Sequence, residues 1–162
     1  MSQVAGGAPW LGAEAIDLAE LILASHYHAW GRPLVAGTGP GRCRRQAAQE
    51  LFAAVTLVLA HDEASDPRII YANRAALMLW RRRWGEMVGM PSRLTAEPEE
   101  HQARAAALAL AQRSEAIGGY GGIRIDSRGR RFRIEGARLW TLRDGQGGNC
   151  GQAAAFESWW WV

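Results

Sequence analysis

Histidine and cysteine are the residue types here whose side chains most often bind metals, but their spacing argues against a metal site. His26 and His28 are two positions apart in a segment with helical periodicity, so they cannot face one ion together. Cys43 and Cys150 are far apart and belong to no CxxC pair. The pattern therefore indicates neither a zinc site nor a disulfide framework.

The segment GMPSRLTAEP, residues 89–98, carries a second set of candidate residues. Arg93 and Glu97 are four positions apart between two prolines, so they can pair with each other or with free backbone groups of an irregular chain. We interpret them as a clamp that fixes this segment. The alternative is that Arg93 enters a pocket and meets an anionic ligand.

Polar residues also occur within segments that have strand character. Gln152 and Phe156 are an even number of positions apart on the last predicted strand, so their side chains lie on the same face of the sheet. If that face looks inward, the Gln152 amide enters a cavity, and we favour a core role in which it bonds to backbone. His61, at the end of another predicted strand, is interpreted as structural.

Tryptophans supply much of the aromatic content. Trp80, Trp84 and Trp140 are predicted to wall the core or a cavity, because each ring buries a large apolar area. Alternation along a strand must expose at least one ring of the cluster Trp159–Trp161 unless another surface covers it. The predicted pocket residues are Trp80, Trp84, Met90, Arg93, Phe132, Ile134, Trp140, Gln152 and Phe156.

The elements that position these residues follow from periodicity and turn signals. Helices are predicted over residues 11–29, 44–53, 74–84 and 99–115, and strands over 55–62, 68–72, 119–126, 130–142 and 151–160. Asn73 is predicted to cap the helix that follows it. DSRGR and DGQGGN are predicted hairpin turns. This order favours one antiparallel sheet covered on one face by helices.

Composition limits the classes of function. The 162 residues fit one domain, and all 19 basic residues are arginine against 16 acidic ones, a net charge of +3. That excess is too small to indicate nucleic-acid binding, so RRRW and SRGRRFR are interpreted as solvated faces. The longest uncharged apolar run, LFAAVTLVLA, is too short to span a bilayer, and no signal peptide is recognisable. We therefore expect a cytoplasmic protein without membrane contact.

The order of elements, with VLAHDEASDPRIIYANRAALMLW, resembles a PAS domain. GMPSRLTAEP, GYGGIRIDSRGRRFRIEGARLW and GQAAAF more specifically resemble the MEKHLA domain family, a PAS-related group of small bacterial proteins and plant homeodomain-leucine zipper regulators. The resemblance covers about residues 13–160, and the absence of the family's eponymous hexapeptide places the chain nearer the bacterial members. It implies an α+β fold with a PAS-like five-stranded antiparallel sheet, inserted helices and an extra N-terminal helix. Residues 1–42 would flank a core formed by 43–162.

The resemblance implies a non-catalytic sensory or protein-interaction module, but no ligand carries over from the family. Any small ligand is expected between the helical block and the sheet. A small-molecule enzyme using the same cavity and a weak nucleic-acid-associated regulator are the alternatives. The cofactor stays open. Gln152 matches the last-strand glutamine of flavin-binding PAS sensors, but their reactive-cysteine motif has no counterpart here, and His101, the candidate haem ligand, has polar neighbours.

The expected partners are a signalling protein or a second copy of the chain. A dimer would bury the apolar stripe of residues 11–29 together with Trp159–Trp161. Folding of that helix onto its own sheet is the alternative.

Overall fold

The computed structural model of the protein describes residues 7–162, so the first six residues of the predicted segment 1–42 lie outside it. In chain order the elements are α1 Ala13–Trp30, α2 Arg44–Ala53, β1 Leu57–His61, β2 Ile69–Ala72, α3 Arg74–Trp80, α4 Trp84–Met87, α5 Pro98–Ser114, β3 Ala116–Ile125, β4 Arg131–Arg143, β5 Asn149–Phe156 and β6 Ser158–Trp161. Short 3-10 helices cover Pro9–Leu11 and Ser92–Thr95. None of the helices between residues 7 and 162 is long and apolar enough to cross a membrane.

The strands form one antiparallel sheet in the order β2-β1-β5-β4-β3, which confirms the predicted architecture. The predicted last strand, 151–160, is divided at Glu157 into β5 and β6, so the sheet has six strands rather than five. β5 pairs with the second half of β4 and β6 with its first half. The exposed Glu157 side chain accepts hydrogen bonds from Thr56 and Arg138, which holds the break in place.

A β-bulge in β4 decides which side chains share a face of the sheet. Gly136 has a φ of 66°, a conformation that glycine adopts without strain, and the register with β3 shifts in this region. Before the bulge Ile134 points to the face that α5 covers, whereas after it Leu139 does so and Trp140 points the other way. We therefore call the face under α5 the inner face and the opposite one the outer face.

α1 packs across the outer face. Its buried residues Ala19, Ile22 and His26 belong to or contact the core cluster that contains Trp140 and Leu142. The apolar stripe predicted for residues 11–29 is thus covered by the chain's own sheet. This arrangement is the predicted alternative in which the helix folds back on the sheet instead of forming a dimer contact.

The start and end of α3 have specific causes. Asn73 accepts from Ala76 N at 3.2 Å, which confirms the predicted cap. The predicted helix 74–84 is nevertheless too long, because α3 ends at Trp80 and Arg81 adopts a left-handed conformation with φ 56°. Ser127, in the β3–β4 turn, donates from N to Trp80 O and from Oγ to Arg81 O, which satisfies carbonyls at the end of the helix.

Candidate functional site

A small cavity lies between α5, the 3-10 helix Ser92–Thr95 and the inner face of the sheet. Its volume is about 50 Å³, which is enough for a small ligand or a few water molecules. The walls are mostly apolar and include Leu59, Ile69, Trp80, Leu108, Ile134, Leu139 and Phe156. Its polar lining comes from His61, Thr95, Arg104, Tyr120, Arg124 and Gln152. Buried polar groups are nearly always hydrogen-bonded, so the partners of these six side chains decide what the cavity can bind.

His61, at the end of β1, is 8% exposed and lines the cavity. Its Nδ1 lies 2.8 Å from Asp62 O. Because a carbonyl oxygen only accepts, Nδ1 carries the proton and Nε2 is left as an acceptor, which has no partner in the described part of the chain. Burial lowers the pKa of His61, so the ring is neutral near pH 7.

Arg104 enters the cavity from α5. Its guanidinium donates to Ser92 Oγ at 3.0 Å and forms no ion pair with an acidic side chain of residues 7–162. Burial lowers the Arg104 pKa to about 10, and the nearby charge of Arg124 acts in the same direction. A guanidinium with this pKa remains charged near pH 7. The cavity therefore holds a positive charge with no carboxylate of the described chain at ion-pair distance, because Glu100, one turn earlier on α5, accepts from Ile123 N instead.

Arg124, on β3, is a second cation at the cavity and is only 5% exposed. It donates to Tyr120 Oη at 2.9 Å and to Ile123 O at 2.8 Å, and its guanidinium lies 5.5 Å from the centre of the Tyr120 ring. Like Arg104, it has no acidic ion-pair partner among residues 7–162. Neutral hydrogen bonds and an aromatic ring thus fix the direction of this guanidinium without cancelling its charge.

Gln152 faces the same cavity from β5. Its Nε2 donates to Leu108 O on α5 at 2.7 Å, the backbone bond that the sequence favours for a core glutamine. Since that carbonyl can only accept, the amide nitrogen is fixed on this side and Oε1 is left as an acceptor. His61 and Gln152 are register partners of β1 and β5, so two acceptors lie side by side.

Four residues of the predicted pocket set line the cavity, namely Trp80, Ile134, Gln152 and Phe156. Three others, Phe132, Met90 and Trp84, lie in or against the same apolar cluster but outside the lining. Phe132 packs edge-on against Trp80 with ring centroids 5.0 Å apart, and Met90 is partly buried against the cluster. Whether any of these residues contacts a ligand stays a prediction.

The remaining two predicted pocket residues, Trp140 and Arg93, lie elsewhere, and Trp84 is at the border of the two core clusters. Trp84 packs edge-on against Tyr71, with ring centroids 5.5 Å apart. Trp140 lies on the outer face beneath α1, because the bulge at Gly136 reverses the alternation that would have placed it beside Ile134. Arg93 is exposed and outside the cavity lining.

Arg93 and Glu97 do not pair with each other. Arg93 donates to Asp66 in the β1–β2 connection at 3.2 Å, and Glu97 pairs with Arg131 at the start of β4 at 3.0 Å. Each ion pair ties the segment 89–98 to a different strand region, as a clamp would. Both pairs are largely exposed, so each contributes little to stability, roughly 0–1 kcal/mol.

The cofactor candidates fit the cavity poorly. Cys43 is exposed, Cys150 lies at the start of β5, and His101 Nε2 lies 3.1 Å from Ala96 O; none of them lines the cavity. A volume of about 50 Å³ is also several-fold below the ~300–1,000 Å³ of pockets for larger ligands, so a flavin or a haem does not fit this cavity. Residues 7–162 contain no cluster of three or more His, Cys, Asp or Glu that could hold a metal ion.

Comparison with known proteins gives a family and a fold. The family model of the MEKHLA domain matches residues 16–161. No curated protein matches the sequence. The solved structures similar to this chain include the PAS domain of a protein from Colwellia psychrerythraea, with a TM-score of 0.61 and 14% identity, covering 68% of this chain and 92% of that domain's chain.

Two light-oxygen-voltage proteins are similar in the same way. An RNA-binding light-oxygen-voltage receptor has a TM-score of 0.61 and 22% identity over 78% of this chain, which spans 35% of that receptor. A fungal LOV domain photoreceptor has a TM-score of 0.58 and 16% identity, covering 93% of this chain and 95% of its own. At such low sequence identities, the structural similarity shows the fold and not the function. It confirms the predicted PAS-like fold.

Proposed function

Because the chain belongs to the MEKHLA domain family, we propose that it is a sensory or protein-interaction module without catalytic activity that binds a small ligand between α5 and the sheet. The observation that carries this proposal is the unpartnered Nε2 of the buried His61 at the cavity. A buried polar atom without a partner costs roughly 1–3 kcal/mol, and a ligand hydrogen bond would remove that penalty. The apolar walls with a few convergent polar groups are typical of small-molecule sites.

The proposal is tested by what the protein retains when it is purified from its native host. Denaturation followed by mass spectrometry is expected to release one small compound in near-stoichiometric amount. Ala154→Leu would fill the cavity and is expected to abolish retention, whereas Ala106→Leu on the exposed side of α5 is the matched control. Release of no compound by the wild type contradicts ligand binding. Chemical conversion of the compound by the protein would instead establish the small-molecule enzyme.

A second proposal is that β6 mediates self-association. β6 pairs with β4 along one edge, and the Trp160 ring on it is 44% exposed. Trp161 is partly covered by Arg130, whose guanidinium lies 3.7 Å from the ring centre. An edge strand with exposed aromatic side chains is a surface that pairs readily with another chain. A second copy would cover it symmetrically, whereas α1 is already covered by the sheet.

Light scattering at increasing protein concentration tests this second proposal. The wild type is expected to dimerise, and Trp160→Glu is expected to remain monomeric. Tyr27→Glu changes another exposed aromatic residue, on α1, and serves as the control. A wild type that stays monomeric at high micromolar concentration contradicts self-association, and loss of the dimer in both variants would move the interface away from β6.

We also propose that the protein is cytoplasmic and acts on a signalling protein, as the sequence predicts. Fractionation of native-host cells is expected to recover the protein with cytoplasmic markers. Recovery with membranes or outside the cell contradicts that location.

A further inference from the structure

We infer that the cavity under α5 binds a short-chain organic carboxylate, whose charge Arg104 and Arg124 recognise while one of the two acceptors, His61 Nε2 or Gln152 Oε1, takes the hydrogen of a hydroxyl group. This inference rests on the proposed ligand-binding function and names its ligand class. It is carried by three properties of the cavity, which are its charge, its acceptors and its size.

The charge comes from the two guanidiniums. Both reach the cavity and neither pairs with an acidic side chain of residues 7–162. Burying a charge without a counter-charge at ion-pair distance is unfavourable, and a bound anion provides that direct contact. Guanidinium forks match the geometry of a carboxylate, so an organic acid suits Arg104 and Arg124.

The acceptors explain why the ligand carries more than a carboxylate. His61 Nε2 has no partner and is an acceptor because Nδ1 donates to Asp62 O. Gln152 Oε1 is an acceptor because Nε2 donates to Leu108 O. A carboxylate has no hydrogen to give to either atom, whereas a hydroxyl group on the adjacent carbon supplies one.

The size sets an upper limit. A cavity of about 50 Å³ is several-fold smaller than the ~300–1,000 Å³ of pockets for drug-sized ligands, which limits the ligand to a small molecule. Trp80, Leu139 and Phe156 provide apolar walls for its carbon chain. A 2-hydroxy carboxylate with a methyl group combines the required charge, donor and volume, so lactate is the probe that we would use.

The experiment measures the melting temperature of the wild-type protein against increasing concentrations of lactate, lactamide and sodium chloride. A ligand that binds the folded state raises this temperature with a saturable concentration dependence. Lactate is expected to do so, and lactamide, which has the same shape without the charge, is not. Propionate, which lacks the hydroxyl group, is expected to bind roughly tenfold more weakly than lactate. These comparisons use the wild type and need no variant that folds.

Two arginine variants on α5 locate the effect. Arg104→Met is expected to fold, to melt at or above the wild-type temperature without ligand, and to bind lactate at least tenfold more weakly. Arg113→Gln removes an exposed charge from the same helix and is expected to keep the wild-type response. Higher ligand-free stability together with lost binding separates a ligand-binding arginine from a merely structural one.

The outcomes that overturn this inference differ from those that overturn the proposed function. Equal responses to lactate, lactamide and chloride, or no response to lactate, reject a carboxylate site. A neutral or cationic compound released from native-host protein also rejects it, while the ligand-binding function stands. If native-host protein releases nothing and lactate has no effect, both proposals fail.

Discussion

Protonation of His26 is expected to destabilise the protein as the pH falls. His26 lies under α1 on the outer face, 1% exposed and packed edge-on against Trp140 with ring centroids 5.0 Å apart. Its Nδ1 lies 3.1 Å from Arg32 O, and Nε2 has no partner in residues 7–162. Burial, followed by the positive charge of Arg138, lowers the His26 pKa from 6.5 to about 4, although the carboxylate of Glu157 opposes part of this shift.

The sign and size of the effect follow from this lowered pKa. Above pH 6.5 the ring is neutral in both the folded and the unfolded state, so it contributes no pH dependence. Between pH 6.5 and about 4 the unfolded state binds the proton more readily than the folded state. The free energy of unfolding therefore decreases as the pH is lowered through this range. The full difference corresponds to about 3 kcal/mol, of which about 2 kcal/mol is already lost at pH 5.

Urea unfolding at pH 8 and pH 5, followed by tryptophan fluorescence, measures this loss. His26→Phe keeps an aromatic ring in contact with Trp30 and Trp140 and removes the titration. Its loss of unfolding free energy between the two pH values is expected to be about 2 kcal/mol smaller than that of the wild type. His28→Gln on the exposed side of α1 is the control and is expected to behave as the wild type. His61, whose pKa is also lowered, remains in every variant and cancels from the comparison. Equal losses in the wild type and His26→Phe would refute the reasoning.

Two further substitutions test the packing around the site, each measured by urea unfolding. Asn73→Ala is expected to lower the free energy of unfolding by about 4 kcal/mol, because Asn73 also accepts from Val58 N and donates to Leu51 O and Thr56 O. Asn73→Ser is expected to restore only the helix cap. A loss below about 1 kcal/mol in Asn73→Ala would contradict this account. Gly151→Ala is expected to lower the free energy of unfolding by at least about 3 kcal/mol, because the glycine has a φ of 132° and an added Cβ would lie 2.0 Å from His61 O. Gly145→Ala is the control, since that glycine lies in an exposed turn with open space around it. Similar stabilities of the two alanine variants would show that the chain at residue 151 relaxes freely.

The fold could be predicted because its signals are local. Alternation marked the strands, and DSRGR and DGQGGN marked two hairpin turns whose first aspartates, Asp126 and Asp144, accept hydrogen bonds from the turn amides. The order of elements and three separated motifs then sufficed for the family. The end of α3 could not be predicted in the same way, because Ser127 ends it from a turn far away in the sequence.

The faces of β4 could not be predicted because they depend on a bulge. In an uninterrupted strand, Ile134 and Trp140 share parity and lie on one face. A glycine within a strand indicates either a bulge or a close approach of another chain, and the sequence alone does not separate these cases at Gly136. The register with β3 decides it, and that register forms only when the strands pair.

Most of the polar lining of the cavity is not evident from the sequence, for a different reason. The start of α5 contains many polar residues, a pattern that is typical of a solvated helix face. Arg104 and Leu108 are nevertheless four positions apart and share a helix face, and the apolar residue is the signal that this face points inward. Arg124 sits in a strand of alternating character, where an arginine on the inner face looks the same as one on the outer face until the register is known.

The two acceptors of the cavity owe their adjacency to one backbone feature. His61 and Gln152 are register partners, and Gly151 precedes Gln152 in β5. At Gly151 the backbone of β5 comes so close to His61 O that no Cβ fits between them. Any larger residue at 151 must therefore push the end of β1 away from β5, which moves the His61 ring relative to the Gln152 amide. A substitution at this glycine consequently acts on the geometry of the candidate site as well as on the stability of the sheet.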